Sequence, residues 1–266
     1  MFEKILVPVI PVHTKEAHIR IANFVQVIEA RYVHLLHVSG GGTAARRRLN
    51  DWIEKTALLY RKHTNSEVTT QIAEGHPAST ICHIAEELEM DLTYQWGNCK
   101  NVFWSALLGS TTRDVIRLTE TPVFVQKCVP RIFIGEEVDR ILFATDFEAT
   151  AQRALPVLKN MNHWSATLFL LHVRRRAGDP FMDQRQREQI EEAMKQIEEE
   201  LAPYFKNIES QKAVGIPSKH ILAKAQEKKV DLIVLGRHNN PSIFKFTGST
   251  AENVIARCDE SVLLVP

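Results

Sequence analysis

Leu35-Leu36-His37-Val38 and Leu170-Leu171-His172-Val173 are near copies of each other, 135 residues apart. The correspondence extends outward from both. Lys4-Ile5-Leu6-Val7 returns as Arg140-Ile141-Leu142-Phe143, and Gly75-x-Pro77 returns as Gly215-x-Pro217. In both copies Ile stands four and Ala eight residues beyond that proline. Met90-Asp91-Leu92 matches Val230-Asp231-Leu232, Gly109-Ser110-Thr111 matches Gly248-Ser249-Thr250, and Pro122-Val123-Phe124-Val125 matches Ser261-Val262-Leu263-Leu264. Matches in one order, with offsets held between 135 and 140, mark an internal repeat. The expected domains are residues 1–130 and 139–266, with the boundary between Pro130 and Asp139.

Each copy alternates short apolar runs with amphipathic stretches. In the second copy, strands are expected at Arg140–Thr145, Thr167–Val173, around Gln211–Gly215, Leu232–Leu235 and Val262–Val265. Asn65 to Glu67 and Asn207 to Gln211 read as surface turns. Ile190, Ala193, Met194, Ile197 and Leu201 fall on one helical face, as do Leu49, Trp52, Ile53, Thr56, Leu59 and Tyr60 in the first copy. Strands alternating with helices predict an α/β fold: two doubly wound, Rossmann-like parallel-sheet domains in tandem. The closing runs Val123–Val125 and Val262–Val265 are apolar without alternation. They are expected to pair the copies as an intrachain pseudo-dimer.

Composition narrows the function. Thirty-three basic and 32 acidic residues leave a formal charge of +1, which makes no electrostatic case for nucleic acid or a membrane surface. The runs Arg46-Arg47-Arg48 and Arg174-Arg175-Arg176 adjoin helices rich in acids and read as solvated faces. The four cysteines contain no C-x-x-C pair, which suits reduced thiols. MFEKILVPVI enters a strand pattern without a signal-peptide layout, and no apolar run nears the ~20 residues of a membrane span. A cytoplasmic location is the expectation.

In an open parallel sheet, ligands gather beyond the carboxyl ends of the strands, where the strand order reverses. In the second copy those ends carry Thr145 and Asp146, then Val173, then Gly236-Arg237-His238-Asn239. A loop leads on to Gly248-Ser249-Thr250 at a helix start. Glycine lets backbone approach a ligand, and a helix N-terminus attracts phosphate. Asp146 is suited to accept hydrogen bonds from ribose or an adenine edge. Taken singly, Gly248-Ser249-Thr250 reads as a helix cap and Asp146 as a turn residue. It is their coincidence at three strand ends that points to a nucleotide.

With these residues in place, the chain resembles the universal stress protein family along both copies. The resemblance rests on Ile141-Leu142-Phe143-Ala144-Thr145-Asp146, on Gly215-x-Pro217, and on Asp231-Leu232-Ile233-Val234-Leu235-Gly236. ATP-binding members continue with Gly-x2-Gly-x9-Gly-Ser/Thr. Here the middle glycine is Asn239, a residue that tolerates the left-handed region, and eight residues separate it from Gly248. The first copy has Ile10 in the place of Asp146. Its motif glycines become Trp96 and Cys99, or, after a shift of one, Gly97 and Lys100. A Trp in that mouth would fill the pocket with its own side chain.

The resemblance implies a stress-response protein holding one ATP per chain as a regulatory ligand, in the second copy, at Thr145, Asp146, Val173, Gly236, Arg237, His238, Asn239, Gly248, Ser249 and Thr250. Unknown protein partners and a homodimer of the tandem chain are left open by it. The alternative is a nucleotide-free adaptor that works through protein contacts or a small hydrophobic ligand. Phe103, Trp104, Phe244 and Phe246, between the fourth strand and last helix of each copy, are read as packing residues or as lining for such a ligand. His238 touches phosphate or faces solvent. His37 and its repeat His172 are read as hydrogen-bonding or packing groups. No histidine or cysteine has metal-ligand spacing, so no metal is required. Without a Walker lysine or a nucleophile–base pair, the chain is at most a slow ATPase.

Overall fold

The computed structural model describes residues 2–40, 46–97, 109–127, 138–161, 167–174, 180–237 and 250–266. It divides into two compact units, Met1–Glu136 and Glu137–Pro266.

The first unit runs β1 (Lys4–Pro8), α1 (Lys15–Val27), β2 (Tyr32–Ser39), α2 (Arg46–His63), β3 (Glu67–Glu74), α3 (Pro77–Glu87), β4 (Leu92–Trp96), α4 (Ser110–Leu118) and β5 (Val123–Gln126). Its strands are parallel in the order β3-β2-β1-β4-β5. The second unit repeats the plan with β6 (Arg140–Thr145), α5 (Ala149–Lys159), β7 (Thr167–Arg174), α6 (Pro180–Leu201), β8 (Asn207–Val214), α7 (Pro217–Lys228), β9 (Leu232–Gly236), α8 (Thr250–Arg257) and β10 (Ser261–Val265). Its order is β8-β7-β6-β9-β10, again parallel. Each is the doubly wound arrangement, with order reversing beside the first strand.

The strands lack alternation because both faces of each sheet are covered. Ile5, Leu6 and Val7 are fully buried, as are Ile141, Leu142 and Phe143. In the first unit Phe24 of α1 stacks on Phe124 at 4.2 Å and leans on Tyr94 at 5.5 Å. The helical faces lie where periodicity put them: Ile53, Thr56 and Tyr60 are buried on α2, and Met194, Ile197 and Leu201 on α6.

Two repeated motifs are structural. Gly75 and Gly215 follow β3 and β8 with φ of +144° and +151°, where a side chain is strained, and the prolines two residues later begin α3 and α7. The Asp91 carboxylate accepts the backbone N–H groups of Glu3 and Lys4 at 2.9 and 2.8 Å. Asp231 does the same for Asp139 and Arg140, at 3.0 Å each. Each aspartate thus clamps the first strand of its unit beside the fourth.

One reading needs correcting. Asn207 to Gln211 is not a turn but the first half of β8, which among the described residues is an edge strand paired with β7 alone. Its side chains are largely exposed and polar, which keeps an open edge from recruiting another strand but hides the strand from any hydrophobic pattern. Likewise Glu67 already belongs to β3.

Candidate functional site

The site in the second unit is built at the reversal point, where β6 lies beside β9 with Ala144 opposite Leu235. Thr145 and Gly236 follow directly and end these strands. Beyond β6 the backbone turns sharply. The Thr145 hydroxyl accepts the Phe147 N–H at 3.0 Å, and the Asp146 carboxylate accepts the Glu148 N–H at 3.0 Å. This turn holds Phe147 at φ +65°, a left-handed conformation that costs a bulky residue roughly 1–2 kcal/mol. Its ring stacks on His172 at 4.4 Å. His172 in turn donates from Nδ1 to the Thr145 carbonyl at 2.8 Å. Burial holds its pKa below the usual value, so the ring is neutral near pH 7. His37 makes the same bond to the Val9 carbonyl at 2.9 Å. The repeated histidine therefore pins the second strand to the end of the first, in both units.

Gly236 packs against the first turn of α5. A Cβ there would lie 2.6 Å from the Thr150 hydroxyl and 3.0 Å from that residue's backbone carbon, so no side chain fits without movement. The Thr150 hydroxyl is buried and has no hydrogen-bond partner among the described residues. Sequence reasoning missed this residue. Its repeat, Thr14, caps α1 by accepting the Ala17 N–H at 3.2 Å, whereas α5 begins earlier, with Glu148 as its cap, and carries Thr150 inside the helix.

Asp146 is exposed at the mouth, and Val173 is half-buried within β7 rather than beyond it. Arg237 is only 7% exposed, because its N–H extends the ladder to the Val265 carbonyl at 2.7 Å. Thr250 opens α8, as its sequence position suggests. His238, Asn239, Gly248 and Ser249 lie outside the described residues, as do Phe103, Trp104, Phe244, Phe246 and Cys99.

The first unit is built differently at the equivalent place. Trp96 ends β4 where Gly236 ends β9, and its ring lies 6.1 Å from that of His13. His13 is edge-on to His18 at 5.7 Å, and His18 reaches the Tyr60 hydroxyl at 3.4 Å. Ile10, replacing Asp146, is 44% exposed. Aromatic and imidazole groups thus stand beside this strand end, where in the second unit Gly236 packs against Thr150.

The sequence model of the Universal stress protein family matches residues 1–127 and again 137–266. The chain belongs to that family as a tandem member. It is 28% identical over 151 residues to Universal stress protein MJ0577 of Methanocaldococcus jannaschii, a match spanning 47% of this chain and 93% of that protein. Its fold is similar to the crystal structure of a universal stress protein from Archaeoglobus fulgidus, with TM-score 0.72 and 22% identity, over 98% of this chain and 95% of the other. A functionally unknown protein of Pseudomonas aeruginosa PAO1, PA1789, is similar over 99% of this chain and 92% of its own, with TM-score 0.73 and 18% identity. Among the described residues no helix is long and apolar enough to cross a membrane, and no group of three or more His, Cys, Asp or Glu side chains could hold a metal ion.

Proposed function

We propose that this universal stress protein binds one adenine nucleotide, ATP, in its second unit, as the regulatory ligand of a cytoplasmic stress response. One observation carries the reading: at the reversal point a glycine that admits no side chain stands against a buried hydroxyl with no hydrogen-bond partner among the described residues. Burying a hydroxyl unpaired costs about 1–3 kcal/mol, and a polar ligand in the mouth removes that cost. Asp146 stands at the end of the neighbouring strand β6, suited to accept from ribose or from the adenine amino group. Phosphate would lie toward the N-terminus of α8, which Thr250 opens and whose positive dipole end favours an anion.

The first unit opposes binding. Ile10 offers no acceptor, and Trp96 stands where only glycine lets backbone meet a ligand. One chain therefore carries one nucleotide. Mass spectrometry of gently denatured protein tests this: a single adenine nucleotide released per chain supports it. Protein free of nucleotide, and unable to take it up at millimolar ATP, would favour the adaptor without nucleotide.

A further inference from the structure

The turn that leaves β6 is closed by three contacts that hold one another. His172 donates from Nδ1 to the Thr145 carbonyl at 2.8 Å. The Thr145 hydroxyl accepts the Phe147 N–H at 3.0 Å, and the Phe147 ring returns to stack on His172 at 4.4 Å. Phe147 itself stands at φ +65°. The other non-glycine residues with positive φ among those described, Glu29, Glu89 and Lys229, follow helix ends, where a left-handed cap is ordinary. Phe147 follows a strand, and a phenylalanine takes this conformation only where its surroundings impose it. Within the same turn the Asp146 carboxylate accepts the Glu148 N–H at 3.0 Å. The direction in which Asp146 leaves the strand is thus set by the backbone that Phe147 carries.

The first unit shows what happens without it. Pro11 stands in the corresponding place, next to Ile10 as Phe147 is next to Asp146. Its ring fixes φ near −65° and excludes the left-handed turn. The chain there makes a different turn, closed by the His13 N–H on the Ile10 carbonyl at 3.0 Å, and α1 starts only after its Thr14 cap. Lys15, the first residue of α1, corresponds to Ala151, whereas α5 already starts at Ala149. That early start carries Thr150 inside α5, against Gly236. His37 keeps its bond to the Val9 carbonyl, but its ring meets Trp52 of α2 and not the loop. The pinning histidine is common to both units; an aromatic loop residue stacked on it belongs to the second.

We propose that Phe147 is the positioning residue of the second unit's site: its ring, held on His172, keeps the turn in the left-handed form that presents Asp146 to the ribose or adenine of a nucleotide. The role rests on the nucleotide reading above and extends it. It makes the residue after Asp146, and not the acid alone, decide which unit can bind. Restoring an acid at position 10 would leave the first unit without the turn, because Pro11 cannot supply it.

Calorimetric titration of the full chain and its variants with ATP, adenosine and tripolyphosphate provides the test. Phe147→Leu keeps apolar bulk and removes the planar face. It should weaken ATP and adenosine by the same factor, about tenfold or more. Tripolyphosphate, which has no group for Asp146 to meet, should stay within about twofold of its affinity for the unaltered chain. Phe147→Tyr keeps the stack and should restore ATP and adenosine binding. Phe147→Pro, which imports the first unit's residue, should weaken both at least as much as leucine does; if it fails to fold, the leucine and tyrosine variants still decide. ATP and adenosine binding undiminished in Phe147→Leu would overturn the proposal and leave the nucleotide reading in place. So would a tyrosine variant as weak as leucine, or tripolyphosphate lost in step with adenosine, which marks general disruption of the unit. An unaltered chain that takes up no ATP at millimolar concentration would remove both.

Discussion

The Thr150 hydroxyl lies 2.6 Å from the position a Cβ would take on Gly236, and it has no hydrogen-bond partner among the described residues. The two residues come from different strand–helix units of the sequence and meet only because β6 and β9 are neighbours. Thr150→Val keeps the shape and removes the orphaned hydroxyl. It should raise stability without ligand by about 1 kcal/mol while weakening ATP binding. Urea unfolding with and without ATP reads both effects. A destabilised variant with intact affinity would show that the hydroxyl serves packing alone.

Gly236→Ala should behave oppositely in stability. The added methyl must push against the helix backbone, at a cost of about 1–3 kcal/mol. Affinity should fall with it, since the helix start moves. Urea midpoints at constant slope check the first part, and ATP titration the second.

Much of this fold was legible because the sequence states it twice. β6 begins and ends where apolar patterning places it, and the faces of α2 and α6 emerge from their 3.6-residue period. β8 was half lost, since an exposed edge strand has no core-facing stripe to give it a period. Of the candidate site, the strand ends at Thr145–Asp146 and Gly236 were legible from their residue types. Thr150 was not: a threonine near a helix start reads as a cap, and only the early start of α5 turns it into a buried hydroxyl.

Asp91 and Asp231 should matter for stability rather than binding. Each carboxylate accepts two backbone N–H groups at the start of a first strand. Asp→Ala at either position should cost about 1–3 kcal/mol, while Asn, keeping one acceptor oxygen, should cost less. Hydrogen exchange at Lys4 and Arg140 amides locates the loss. Unaltered protection there would contradict the clamp.

Acid should weaken the first unit. Burial, with the neighbouring His13 second, lowers the His18 pKa from 6.5 to about 4. Burial lowers His13 as well. Facing them are the Tyr60 hydroxyl on α2 and the Trp96 ring on β4. The unfolded chain binds these protons first. The stabilisation is thus fully present above pH 6.5 and is lost as pH falls toward 4, by roughly 3 kcal/mol for His18 at 1.4 kcal/mol per unit. Unfolding free energies measured between pH 7 and 4 should show this slope, and His18→Phe should flatten it. An equal slope in the variant would place the acid sensitivity elsewhere.

The central claim is one nucleotide per chain, held by the second unit. Isothermal titration with ATP measures it directly. We expect a stoichiometry near one, lost or strongly weakened in Asp146→Ala and in Gly248→Trp, and unchanged in Ser110→Ala. A stoichiometry near two, or binding that survives both second-unit variants, would contradict the account and return the site to the first unit.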